Sequence, residues 1–205
     1  MADQRLRELE RAARGGDAVA QTAYLVELVR VGEYDDHRLR LCAFLRHGPS
    51  VRALGGAHSP GPGDFGRWAR ALVTFGVEPA LRASVAGARA CLPSWQLRLP
   101  SDTRPLLALR AAEDWLSCPC ETHANIASVR AVPADAAGVP HVPDTELYLA
   151  ATLAGTAAWL ASYPDVGFAD FVHLLEVAES WEPERLRSEM ESTLLEWALP
   201  VALRV

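Results

Sequence analysis

Cys118-Pro119-Cys120-Glu121-Thr122-His123 places two thiols and an imidazole within six residues. Thiolate sulfur and imidazole nitrogen are ligands that zinc accepts readily, so Cys118, Cys120 and His123 can supply three corners of a tetrahedral site. Three features oppose it. The Cys-x-Cys bite is tighter than the usual spacing, Pro119 restricts the backbone between the thiols, and no second Cys-x-x-Cys or His pair follows downstream. The competing reading is a helix boundary: Cys118 closes one helix, Pro119 leads into the next, and Cys120 packs as a small apolar side chain. The boundary reading is favoured, and with it no metal and no cofactor are expected.

Other chemistry is present only as loose parts. Nucleophilic catalysis needs a nucleophile, a base within hydrogen-bond reach and a group that orients the base. The sequence has no Gly-x-Ser-x-Gly elbow, no His-Glu-x-x-His, no calcium loop, no Walker loop and no Gly-x-Gly-x-x-Gly. His173, in Phe-Val-His-Leu-Leu-Glu-Val, reads as a core histidine on an apolar helical face, whereas His37, His47, His58 and His141 fall in or near loops and read as solvated. The adjacent pairs Asp35-Asp36 and Glu113-Asp114 point apart on a helix or turn and suit capping and solvation better than shared acid–base work. An enzyme is not expected.

Tryptophan and arginine dominate protein-binding hot spots. Trp95, Trp115, Trp159 and Trp197 fall on apolar stripes and read as core, while Trp68 and Trp181 sit near helix starts beside loops. Trp68 with Arg67, Arg70 and Asp64, and the acidic residues Asp135 and Asp144 of a second loop, are the candidate protein-binding residues.

Behind these side chains lies a helical scaffold. Apolar residues recur near a 3.6-residue period throughout, and no stretch keeps strict alternation. The expected fold is all-α, about nine helices in stacked antiparallel pairs with no sheet. Asp17, Asp35 or Asp36, and Asp64 stand where N-caps belong, and Gly15-Gly16, Gly32 and Gly76 where helices stop. In Ser101-Asp102-Thr103-Arg104-Pro105, Asp102 or Thr103 can accept from the free amides of a new first turn, Arg104 can bond carbonyls at the preceding helix end, and Pro105 has its φ preset. Pro93 ends or bends the helix before it. Leu147 to Leu160 is apolar nearly all round, the mark of a central helix covered on several sides. The Gly/Pro-rich segment 55–63 is a linker or long loop and 132–144 a second one. They suggest a leader unit at 1–54 and a main helical domain at 64–205, or one continuous body.

Composition bounds the function. Half of the 205 residues are hydrophobic and 22% are charged, a composition that packs a core. All 20 basic residues are arginine and the net charge is −6, which disfavours a nucleic-acid partner. The same charge would speed encounter with a basic protein. The opening Met-Ala-Asp-Gln-Arg lacks the layout of a secretory signal, and no apolar run reaches the roughly 18 residues a membrane helix needs, so a cytoplasmic protein with no membrane association is expected.

Residues 88–116, Ala-Arg-Ala-Cys-Leu-Pro-Ser-Trp through Ala-Ala-Glu-Asp-Trp-Leu, resemble the segment shared by an immunity-protein family of bacterial polymorphic toxin systems. There a helix ends in Leu-Pro, a Pro-x-Asp-x-Arg-Pro turn follows, and an Ala-rich helix with a Trp comes next. The matching positions are Leu92, Pro93, Pro100, Asp102, Arg104, Pro105, Ala108, Ala111, Ala112 and Trp115. Where the family carries a basic residue after Arg-Pro and then Ile-Glu-Ala, this chain has Leu106 and Leu109-Arg110-Ala111. The opening segment, from Leu6 to Glu33, is similar to a helical leader of multi-domain bacterial proteins, notably of myxobacteria. The resemblance implies an α-helical, non-catalytic binder that covers a toxin's active site, its partner a protein and by charge a basic one. A scaffold or regulatory module of a larger bacterial assembly is the alternative.

Overall fold

The computed structural model describes residues 2–56, 64–138, 145–178 and 183–204. Among them are eleven α-helices and no strand. None of these helices is long and apolar enough to cross a membrane. The chain forms two compact units, one of residues 1–61 with 194–205 and one of residues 62–193.

The first unit holds α1 (Ala2–Arg14), α2 (Ala18–Arg30), α3 (Asp36–Phe44) and the short α4 (Gly48–Ala53). The expected caps form: Asp17 accepts from the Val19 amide at 2.9 Å and Asp35 from the His37 amide at 3.1 Å. Gly16 and Gly32 take the left-handed conformation, φ 81° and 76°, that lets α1 and α2 stop at little steric cost. Ala13, Leu25, Leu28, Leu39, Leu41, Cys42 and Leu45 make the core. The last residues join it: the Tyr34 hydroxyl donates to the Ala198 carbonyl at 2.8 Å, and the Arg38 guanidinium lies 4.6 Å above the Trp197 ring.

The second unit contains α5 (Phe65–Leu72), α6 (Val77–Arg98), α7 (Arg104–Ser117), α8 (Glu121–Gly138), α9 (Thr145–Ser162) and α10 (Pro164–Ala178), with residues up to 193 of α11 (Pro183–Ala198). Asp64 caps α5 as expected, accepting from the Arg67 amide at 2.7 Å. Helix α9 is the central element its composition announces. It packs against α6, α7, α8 and α10, and Leu149, Ala150, Ala151, Leu153, Ala154, Ala157, Ala158 and Leu160 are wholly buried. Small residues let the helices approach closely. A methyl at Gly138 of α8 would lie 2.9 Å from Thr152 Cγ2, and one at Gly167 of α10 would meet the Leu160 backbone at 2.6 Å.

Three local expectations need correction. Of the two alternatives for Pro93, ending α6 fails: the helix runs on to Arg98 because Leu92 before the proline and Trp95 beyond it are both buried, and the Trp95 indole donates to the Asp102 carbonyl at 2.8 Å. Residues 132–138 are helix rather than loop. Ala131, Ala134, Ala137 and Gly138 continue the buried face of α8, and that packing outweighs the roughly 3 kcal/mol that Pro133 costs inside a helix. Arg104 bonds the Asp102 carboxylate, at 2.5 Å, and not the carbonyls of α6. Asp102 does accept from the first-turn amide of Arg104, at 3.1 Å.

Because the atoms opposing a side chain at Gly167 are helix backbone, Gly167→Ala should lower the unfolding free energy by about 2 to 3 kcal/mol. A denaturant midpoint shifted down with an unchanged slope would show this. A midpoint within error of the parent's would mean that α9 and α10 do not approach this closely.

Candidate functional site

Helix α8 gathers most of the chemistry. At its amino end α7 stops at Cys118, whose extended backbone (φ −147°, ψ 88°) cannot continue the helix, and Cys120 accepts the first-turn bond from the Ala124 amide at 3.0 Å. The Cys118, Cys120 and His123 donor atoms come within 4.8 Å of one another. The contacts are specific: His123 Nδ1 lies 2.8 Å from the Cys118 carbonyl oxygen and 3.4 Å from Cys120 Sγ.

This geometry sets the proton affinities apart. The His123 backbone amide directed at its sulfur, with the neighbouring thiol and imidazole adding to it, holds the Cys120 thiol below its usual range. The same thiol contact pushes Cys118 up, and the bond to the Cys118 carbonyl raises His123. A thiol at a helix amino terminus beside an imidazole is the more nucleophilic of a pair. For zinc the fit is poorer, since the ring nitrogen nearest the sulfurs must first give up its carbonyl bond.

The surface residues singled out from the sequence have different fates. Trp68 is a correction: it is fully buried, 5.7 Å from the Phe65 ring and 5.5 Å beneath the Arg187 guanidinium. It is a core residue because α11 covers the side that the local pattern leaves open. Asp64 is spent on its cap, Arg67 is exposed, and the Arg70 guanidinium pairs with Glu176. Asp144 and Trp181 lie outside the described residues, as do 57–63 and 139–144 of the two expected loops.

Asp135 is half-buried, and it leads to a feature the sequence did not announce. Asp135 of α8, Tyr148, Thr152 and Thr156 of α9, and Asp170, His173 and Leu174 of α10 line a cavity of about 250 Å³. Trp159 Nε1 donates to Asp135 Oδ2 at 2.8 Å. Burial raises the Asp135 carboxyl to about 6, the indole bond opposing and Asp170 reinforcing the shift. Burial also raises Asp170, against the pull of His173. His173 is exposed and not a core histidine. His47, expected in solvent, is half-buried with Nδ1 2.8 Å from Ser50 Oγ, and burial lowers it to about 4. A signal for the cavity was available: Tyr148, Thr152 and Thr156, four residues apart, draw a polar line along an otherwise apolar helix.

The outward side of α8 carries Ile126, Val129 and Val132, which are 45%, 69% and 58% exposed. Thr122, Asn125, Ile126, Val129 and Arg130 line a groove of about 410 Å³ there. Comparison of the chain with family models, curated proteins and solved structures finds no match.

Two outcomes are expected. Cys118 and Cys120 should react with a thiol reagent in the native protein, Cys120 the faster, while the buried Cys42 and Cys91 react only on unfolding. Mass mapping of the labelled peptides reads this directly, and early labelling of Cys42 would contradict the burial. Asp135→Asn should raise stability at pH 7 by about 1 kcal/mol, discounted for partial exposure. The folded carboxyl binds its proton more tightly than the unfolded one, so the parent regains ground on the variant as pH falls from about 6 toward the 3.8 of a free aspartate. Denaturation of both proteins at pH 4.5 and 7.5 measures the difference.

Proposed function

We propose that this chain is a non-catalytic protein-binding domain, immunity-like in mode, which acts by covering a partner rather than by transforming a substrate. The observation that carries the reading is the row Ile126, Val129 and Val132, three large apolar side chains left in water on one side of an otherwise well-packed helix beside a groove. Such a row gains about 25 cal/mol for each Å² that a partner removes from water, and contiguous exposed apolar surface marks interaction sites.

Electrostatics supports a basic partner. The net charge of −6 attracts one at long range, and Glu121 and Asp135 lie on the same helix as the row. Among the positions that resemble the immunity family, three have scaffold roles here: the Asp102 carbonyl accepts from the Trp95 indole at the end of α6, Arg104 braces Asp102, and Pro105 is buried in the first turn of α7. The likeness therefore bears on the framework, and contact falls to α8.

Tagged parent protein recovered from its native host should hold a one-to-one protein partner. Val129→Asp should weaken that complex at least about tenfold, since a charge replaces a side chain that the partner desolvates. Val19→Asp, at a position 74% exposed on α2, should leave it intact. A complex that survives Val129→Asp, or recovery of the parent alone, defeats the reading.

A further inference from the structure

Around α9 the second unit is filled with alanine, leucine and glycine, and into that packing the chain sets a carboxylate. Gly155, in the middle of α9, makes the room: a Cβ there would run into Asp135 Oδ1. Glycine inside a helix costs about 1 kcal/mol relative to alanine. Trp159 fixes Oδ2 of the same carboxylate, while Oδ1 receives no hydrogen bond from any described residue. Thr156, 1% exposed, also lines the cavity and bonds none of them through its hydroxyl. Two polar groups, the Asp135 carboxylate and the Thr156 hydroxyl, thus meet a partly open space in a region that apolar side chains could have filled.

The charges in that space are unbalanced. Elsewhere the chain answers acids with arginines, as in Arg70 with Glu176 and Arg89 with Glu113 at 2.7 Å. Among the described residues no arginine lines the cavity, and against Asp135 and Asp170 stands only the imidazole of His173, which is exposed. A partly buried carboxylate without a counter-charge is unfavourable, and a cation that enters the cavity relieves it. A metal ion fits less well, because among the described residues only Cys118, Cys120 and His123 bring three donor atoms into reach of one another. The volume of about 250 Å³ is below that of a drug-sized pocket and suits a charged head with a short alkyl stem, for which the Tyr148 ring and Leu174 offer apolar wall.

We propose that the cavity between α8, α9 and α10 is a binding site for an organic cation, a guanidinium or primary ammonium group seated between Asp135 and Asp170 with the Thr156 hydroxyl beside it. That head group has two sources, a free small amine and the tip of an arginine or lysine side chain presented by another protein. The two share one recognition chemistry.

Titration calorimetry with butylguanidinium and with the blocked tripeptide acetyl-Ala-Arg-Ala-amide tests the site and separates the sources. Saturable one-to-one binding is expected, with a dissociation constant on the order of 1 mM for so small a probe. Asp135→Asn and Asp170→Asn should each weaken it about tenfold or more while retaining the parent's helical circular dichroism. The neutral, similarly shaped butylurea should not bind. The Trp159 indole proton resonance should move with probe concentration in the parent, because its acceptor is the carboxylate that takes the cation. Val129→Asp should bind the probes as the parent does, which keeps this site distinct from the apolar row on α8. Equal binding of both probes identifies a site for a protein-borne side chain as well as a free amine, and binding of butylguanidinium alone restricts it to small molecules. The proposal is overturned if neither probe saturates the parent, if butylurea binds as well as butylguanidinium, or if the two aspartate variants bind like the parent.

Discussion

The second unit depends on the near-complete burial of α9. A helix with apolar residues nearly all round finds no orientation in which a broad face can rest in water, so it must be enclosed. Helices α6, α7, α8 and α10 do this. Enclosure by four neighbours is possible only where side chains are small, which is why alanine and glycine dominate the contact with α8 and why Gly167 brings α10 onto the Leu160 backbone. Close approach then gives many weak dispersion contacts in place of a few large interlocking side chains. It also leaves little tolerance, because a backbone cannot move aside as the end of a leucine can.

Within this packing the polar residues divide into two kinds. Most ion pairs are exposed or half-exposed, such as Arg40 with Asp36 and Arg14 with Glu10, and pairs of that kind add little to stability. The Asp135 carboxylate is different, since its surroundings penalise its charge and one indole bond only partly offsets that. Cys120 shows the opposite case, an exposed helix start whose amides favour the ionised thiol. One helix thus carries an acid held toward neutrality near its end and a thiol held toward ionisation before its start.

Much of the scaffold was legible because its determinants are local. Asp17, Asp35 and Asp64 each cap the helix that follows, and the glycines at 16, 32 and 76 stand where chains turn. The all-round apolarity of 147–160 identified its burial without any partner being known. What failed were inferences about residues whose surroundings arrive from far along the chain. Trp68 and its flanking arginines look open within α5, but Arg187 of α11 lies over the ring. Pro133 reads as a break until the alanines around it are seen to share a face with α9. His173 sits in an apolar heptapeptide, yet its own side of α10 looks outward. The cavity escaped for the same reason, since its lining comes from three helices and only the α9 line has a regular spacing.

The first unit takes residues from both ends of the sequence, with the Tyr34 hydroxyl bonded to the carbonyl of Ala198 and Arg38 over Trp197. Its polypeptide is therefore interrupted by the whole of the second unit. During synthesis the interior segment can complete its own contacts while it emerges, whereas the amino-terminal helices lack part of their core until residues 194–205 have also emerged.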